Sequence, residues 1–293
     1  MTPERRGILL VAAAALLWST GGIGIKWLSE PPLKIAFYRS ATAAVALFAI
    51  FRPRIWRWTP AFLVGIVSYG ACLTTFVLAT KWTSAANAIF LQYCGVVWVL
   101  LAAPLVLGEP FHRRDAAAIA VAFAGMLLFF VGRFESRGFA GEIAALASSV
   151  FFAILVLSLR SERGGGAEAV VTYGNVLAAL TILPFVWNDL AVTTPEAVVL
   201  TYLGVVQIGG AYALFVAGLR HVTATQASLV GMLEPVSNPI WVFLVIGERP
   251  ATLSILGGAI VLGAIAWRAL TLSGPLRGPT DERGKIPETP APF

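Results

Sequence analysis

The chain has 293 residues, 58% of them hydrophobic and 12% charged, with a formal net charge of +6. Soluble domains carry about 25% charged residues, so a water-facing globule is excluded over most of the chain and the solvent must be lipid. The basic excess lies between long apolar runs and not along one stripe, which sets aside nucleic acid as a partner. A membrane helix needs roughly 20 apolar residues to cross about 30 Å of hydrocarbon. Ten runs fit: 8–28, 33–51, 61–80, 84–107, 115–132, 140–159, 168–188, 197–218, 222–246 and 252–271. The first follows Arg5-Arg6 in the manner of a signal peptide. Nine more runs come after it and no small-residue cleavage site precedes a soluble domain, so it reads as a retained helix. Turns such as Glu30-Pro31-Pro32, Arg52-Pro53-Arg54 and Gly164-Gly165-Gly166 separate the runs. Backbone in lipid must satisfy its own hydrogen bonds, so the runs should be helices; a β-barrel would need shorter, alternating segments. The expected fold is an all-α membrane protein with ten transmembrane helices. Fourteen Lys and Arg fall on the side of the termini against six on the other, with Arg39 inside a run, which places both termini in the cytoplasm. Residues 273–293, rich in Pro, Gly and charge, read as a disordered cytoplasmic tail.

The halves align with one another. At an offset of 139 residues Gly65 meets Gly204, Phe76 meets Phe215, Lys81 meets Arg220, Ala88 meets Ala227, and Gly108-Glu109 meets Gly247-Glu248; at 134, Gly7 meets Gly141 and Lys26 meets Arg160. The expected domains are residues 1–135 and 136–272, each with five helices. Five is odd, so the second repeat enters from the opposite side and the two are inverted. Inverted repeats are the hallmark of transporters that alternate access around a midplane site.

Several motifs resemble a known family. They are Trp18-Ser19-Thr20-Gly21-Gly22, Phe37-Tyr38-Arg39-Ser40, Thr83-Ser84-Ala85-Ala86-Asn87-Ala88, Gly108-Glu109, Leu233-Glu234-Pro235-Val236 and Gly247-Glu248. In this order, on this repeat, the chain resembles the drug/metabolite transporter superfamily over about residues 7–271. Within it the chain looks most like EamA-type exporters, and among these the YddG-type exporters of aromatic and other amino acids. The resemblance implies a basket of helices around a central cavity open to one side at a time, in a bacterial inner membrane. Many relatives have a proline in the fourth helix as well as the ninth; here Val96 matches Pro235, which leaves open whether both helices bend.

Polar groups within hydrocarbon are costly, so each is a candidate. Asn87 and Trp98 share a face of the fourth run, and Gln226, Ser237 and Trp241, with Glu234 near the edge, share one of the ninth. An amide with a Trp in each half would suit a cavity for amphipathic solutes; equally, the amides would bridge helices and the Trps anchor to the interface. Tyr93, on another face, reads as packing with a hydroxyl partner, and Trp18 either as a cavity wall or as part of a close-packed glycine-rich segment. Arg39, about 9 Å into its helix, would either fork onto a substrate carboxylate or snorkel to the surface. Glu234 would either accept a proton or stabilise backbone broken by Pro235. Glu109 and Glu248 would hold helix ends or gate.

No Cys-x-x-Cys or Cys/His cluster occurs, and Cys72 and Cys94, both inside apolar runs, read as two buried thiols, with a disulfide between them as the alternative. No metal and no cofactor is expected. His112 and His221 lie in turns, and no His-Glu-x-x-His, Gly-x-Ser-x-Gly or intramembrane carboxylate pair appears, so an enzyme is set aside. No filter loop or charged ring suggests a channel. The expected partners are a small-molecule substrate, amino acids or similar metabolites, and membrane lipid; the oligomeric state stays open, a monomer included. The alternative to an amino-acid exporter, facilitative or not, is a drug or other metabolite exporter of the same fold, proton-coupled through Glu234. Phosphate-bearing substrates are disfavoured because Arg39 alone is available to them.

Overall fold

Threonine followed by proline starts three of the helices. Thr2 accepts from the Arg5 N–H at 3.3 Å and Thr59 from the Phe62 N–H at 3.0 Å, while Thr193 forms a capping box with Glu196 ahead of Pro195. Each threonine satisfies an orphan amide, and each proline sits in the first turn, where its missing N–H costs nothing. The computed structural model describes residues 2–53, 58–83, 85–130, 139–246 and 252–271. These form α1 (Pro3–Trp18), α2 (Gly21–Trp27), α3 (Pro32–Phe51), α4 (Pro60–Trp82), α5 (Ala85–Gln92), α6 (Gly95–Leu107), α7 (Arg113–Phe130), α8 (Phe139–Ser161), α9 (Ala167–Val186), α10 (Thr194–Tyr202), a π-helical segment (Leu203–Gly210), α11 (Ala211–Leu219), α12 (Ala224–Gly231), α13 (Leu233–Ile246) and α14 (Thr252–Leu270). No strand occurs among the described residues.

Among the described residues, seven stretches are long and apolar enough to span a bilayer: Pro3–Trp27, Pro32–Phe51, Pro60–Trp82, Asn87–Leu107, Phe139–Ser161, Ala167–Val186 and Thr194–Leu219. The sequence reading counts ten. The other three runs fall on α7, which opens with Arg113, Arg114 and Asp115, on α12 and α13, which are separated by a break, and on α14, of which Ile255–Leu270 is apolar. Glu248, Ser84 and the expected tail, 273–293, lie outside the described residues.

The outer surface is apolar. Val45, Leu105, Phe139 and Phe185 are all exposed, as a lipid-facing wall requires. Exposed aromatics gather at both ends, with Trp27, Trp82, Trp187 and Phe139 at one and Trp58, Phe111 and Trp267 at the other, the belts expected at membrane–water interfaces.

The packing is reciprocal. α4 packs along α8 as α11 packs along α1; α4 packs on α9 as the π segment and α10 pack on α3; α5 and α6 lie on α8 as α12 and α13 lie on α1; α3 pairs with α9, and α7 with α14. Close approaches follow the same exchange. A Cβ at Gly7 would lie 2.8 Å from the His221 side chain, and one at Gly141 would lie 2.8 Å from the Thr83 backbone. At the ends, Lys26 donates to the Thr83 carbonyl at 2.9 Å, and Arg160 to the Leu219 carbonyl at 2.6 Å.

Three helical stretches are interrupted. Between α1 and α2, the Ser19 hydroxyl donates to the Leu16 carbonyl at 2.6 Å and the Thr20 hydroxyl to the Leu17 carbonyl at 2.8 Å, competing with the backbone ladder. Between α5 and α6 the chain tightens at Tyr93 and Cys94, where Cys94 N–H donates to the Leu91 carbonyl. Between α12 and α13 it tightens at Met232, whose N–H donates to Leu229. Tyr93 and Met232 are 139 residues apart, so both stretches break at matching positions although Val96 stands where Pro235 does. Gly95 takes the role of the missing proline: a Cβ there would meet the Ser149 carbonyl at 2.8 Å, so α6 can tilt onto α8.

Candidate functional site

The breaks and the π segment surround a central cavity of about 40 Å³, room for a few water molecules. Trp18, Phe76, Tyr93, Phe152 and Tyr212 supply aromatic walls, and Leu73 and Ile208 aliphatic ones. Arg39, Cys72, Gln92, Gln207 and Glu234 supply the polar groups. The Trp18 ring lies 5.0 Å from those of both Tyr212 and Phe215, and Tyr212 lies 4.7 Å from Tyr69. These packed aromatics fix one wall.

Arg39 turns inward. It is 2% exposed, and its Nη2 donates to Gln207 Oε1 at 2.8 Å. Its Nε has no hydrogen-bond partner among the described residues. The snorkelling alternative is therefore not what the structure shows, because the neighbouring helix faces admit the side chain to the cavity. Gln207 Nε2 donates to the Trp18 carbonyl at 3.1 Å, a group at the edge of the α1–α2 break. Two glycines make room: a Cβ at Gly21 would lie 2.6 Å from Gln207 Nε2, and one at Gly204 would lie 2.7 Å from the Arg39 carbonyl.

Across the cavity, Pro235 has no N–H for the carbonyl of Gly231, its partner four residues back. The Tyr93 hydroxyl fills that gap, 2.6 Å from the Gly231 carbonyl, and it also lies 2.8 Å from Glu234 Oε2. One phenolic proton thus faces two acceptor oxygens. Both contacts are satisfied together when Glu234 carries a proton of its own.

Of the nine residues singled out from sequence, Trp18, Arg39, Tyr93 and Glu234 line the cavity. The other five lie elsewhere. Gln226 caps α12, accepting from the Thr223 N–H at 3.0 Å, and reaches Glu4 at 3.4 Å. Asn87 donates to the Thr83 hydroxyl at 3.2 Å, one turn back. Ser237 donates to the Leu233 carbonyl at 2.8 Å. Trp241 donates to the Ser19 hydroxyl at 2.6 Å and braces the α1–α2 break. Trp98 is 48% exposed, with its Nε1 on Ser149 at 3.3 Å. The face drawn through Asn87 and Trp98 assumed one straight helix; the break at Tyr93 and Cys94 turns Tyr93 inward and Trp98 outward. Sequence reasoning missed Gln92, whose Nε2 donates to Ser148 at 2.8 Å, and Gln207. Both are amides within apolar runs, the same signal that singled out Asn87 and Gln226. Cys72 and Cys94 are free thiols, and Cys72 lines the cavity.

Glu109 sits at the end that carries the chain's N-terminus. It pairs with Arg160 at 2.6 Å and accepts the Ala224 N–H at 2.9 Å, so it holds α8 and the start of α12 together.

Comparison with known proteins places this architecture. The chain is 28% identical over 92% of its length to the pseudopaline exporter of Pseudomonas aeruginosa, covering 98% of that protein. It is 26% identical to an uncharacterized transporter of Archaeoglobus fulgidus (88% and 95% covered) and 26% identical to the uncharacterized transporter YwfM of Bacillus subtilis (87% and 90% covered). A solved crystal structure matches the fold with a TM-score of 0.78 at 19% identity, over 92% of this chain and 98% of the other. The model of the EamA-like transporter family matches twice, over residues 5–131 and 139–269. With apolar spanning helices around a polar-fixed cavity, the chain is a multi-pass membrane transporter and belongs to the EamA-like transporter family.

Proposed function

We infer that the protein exports small amphipathic metabolites, amino acids and aromatic ones among them, by alternating access, as the YddG-type members do. Its proposed frame is ten crossings in two inverted five-helix repeats, with both termini in the cytoplasm of a bacterial inner membrane. The double family match, the reciprocal packing and the exchanged contacts of Gly7 and Gly141 support the repeat. A relative named as an exporter supports the outward direction.

The observation that carries the substrate class is Arg39. A guanidinium buried among aromatic rings with its Nε unpaired is costly in lipid and suits a carboxylate, which can take two of its N–H groups at once. The aromatic walls suit an apolar side chain. Counterflow in proteoliposomes with labelled amino acids tests the reading. Faster exchange of phenylalanine than in empty liposomes, lost in Arg39→Gln, is the expected result; no amino acid crossing faster than in empty liposomes refutes it.

A second reading, exchange of the solute for a proton on Glu234, has one observation in its favour: a single phenolic proton on Tyr93 faces both the Gly231 carbonyl and Glu234 Oε2, and a proton on Glu234 would give each contact its own donor. Transport that ignores a pH gradient and survives Glu234→Gln eliminates it and leaves facilitated movement.

A further inference from the structure

Arg39 donates to Gln207 Oε1 through Nη2 at 2.8 Å, while its Nε, which points the same way, has no partner among the described residues. These two N–H groups form the fork that takes both oxygens of a carboxylate. One prong rests on a neutral amide, and the other has no protein partner among the described residues. The amide is not a bystander. Its nitrogen holds the Trp18 carbonyl at the α1–α2 break at 3.1 Å, and it belongs to the π-helical segment Leu203–Gly210. π-helical turns recur at functional sites because they hold backbone in an alternative register. The same segment touches the backbone of Arg39 through Gly204.

We propose that Gln207 is a place-holder for the substrate carboxylate and a positioning residue that passes occupancy to the scaffold. The carboxylate takes the Nε/Nη2 fork and displaces the Gln207 oxygen, because an ion is a stronger acceptor than an amide for a buried guanidinium. The released side chain loosens the tie between the π segment and the α1–α2 break. When the solute leaves, Gln207 returns and the cation is never left bare. The proposal rests on the reading that the solute's carboxylate binds Arg39.

The test is counterflow of labelled phenylalanine and of phenylalaninamide, which lacks the carboxylate, in wild type, Gln207→Glu and Gln207→Met. Glutamate has the same shape and places a carboxylate on the fork permanently. It also loses the donor to the Trp18 carbonyl whichever solute is present, so the reading lies in the difference: the KM for phenylalanine should rise at least tenfold more than that for phenylalaninamide. Methionine keeps the length without an acceptor. It should lower the KM for phenylalanine at least threefold while also lowering the maximal rate. A wild type that does not distinguish the two solutes, or an Arg39→Gln variant that still moves phenylalanine normally, defeats the Arg39 reading itself. If wild type and Arg39→Gln behave as expected but both Gln207 variants keep the phenylalanine KM within twofold, the place-holder role is overturned and the Arg39 reading stands. Equal loss of both solutes in Gln207→Glu overturns it too, since a merely structural residue would give that result.

Discussion

Removing the Tyr93 hydroxyl should destabilise the protein more while Pro235 is present than after it is replaced. The Gly231 carbonyl has no backbone donor because position 235 is proline, and Tyr93 supplies one from another helix at 2.6 Å. A buried acceptor left without a partner costs about 1–3 kcal/mol. Side-chain hydrogen bonds between membrane helices average ~0.6 kcal/mol, with a maximum of ~1.7, because the separated helices find other partners. The Gly231 carbonyl lacks its backbone partner in the separated helix as well, so Tyr93→Phe should fall in the upper part of that range, about 1.5 kcal/mol. Pro235→Ala returns an N–H to the position that serves Gly231 in an unbroken helix. In that background Tyr93→Phe forfeits only the contact with Glu234 and should cost roughly 0.5 kcal/mol. The expected coupling is therefore about 1 kcal/mol, read from a double-mutant cycle of reversible unfolding in mixed micelles with increasing SDS. A coupling within ~0.4 kcal/mol of zero, the ordinary error of additivity, would refute the view that Tyr93 fills the proline gap.

Other expected outcomes follow from single contacts. Glu109→Gln breaks a mostly buried ion pair and should cost about 3 kcal/mol in the same unfolding assay; the swap Glu109→Arg with Arg160→Glu should not restore it, because a cation cannot accept the Ala224 N–H. Gly204→Ala places a Cβ 1.7 Å from the Thr42 hydroxyl and 2.7 Å from the Arg39 carbonyl. It should destabilise by about 1–3 kcal/mol, and Thr42→Ala should rescue it only in part, because the backbone clash remains; full rescue would show that Arg39 and the π segment are not in tight register. Trp98→Phe should leave phenylalanine counterflow within twofold of wild type, since that ring faces outward, whereas Trp18→Ala should raise the KM for aromatic solutes at least fivefold. The reverse ranking would return the solute to the face through Asn87 and Trp98.

The helices were legible because lipid enforces them: apolar runs of spanning length, closed by Thr-Pro starts and charged turns, leave few other structures. The exchange of contacts between halves was visible in paired residues such as Gly7 and Gly141, which mark where helices must approach. Side-chain direction was not. The face through Asn87 and Trp98 depends on a straight helix, and the bend at Tyr93 has no proline to announce it. Gly95 permits that bend only because the Ser149 carbonyl lies against it, a fact of tertiary packing. Gln226 looked like a cavity amide, yet its place three residues after Thr223 is the spacing of a capping box, and that local geometry prevailed. Gln207 was overlooked although an amide deep in an apolar run is the same signal, and its part depends on Arg39, 168 residues away in sequence.

The pairing of the halves stops at the cavity. Packing positions recur, Gly65 with Gly204 and the break at Tyr93 with the break at Met232. The polar groups do not: at the same offset Gln207 answers to Ser68, Glu234 to Gly95 and Tyr93 to Met232, while at the offset of the first helices Arg39 answers to Tyr173. On the inverted-repeat reading, this division is what transport requires. Exchanging the conformations of two similarly packed halves yields outward- and inward-facing states of nearly equal energy, so a modest difference in contacts is enough to move the balance. A solute with one carboxylate breaks that symmetry and can meet only one cation. A second Arg39 at the matching position would be a buried charge without a partner, costing several kcal/mol, and would penalise one state over the other. On the proposed mechanism, duplicated glycines would keep the scaffold balanced, and a single Arg39 held by a single Gln207 would let the solute tip it.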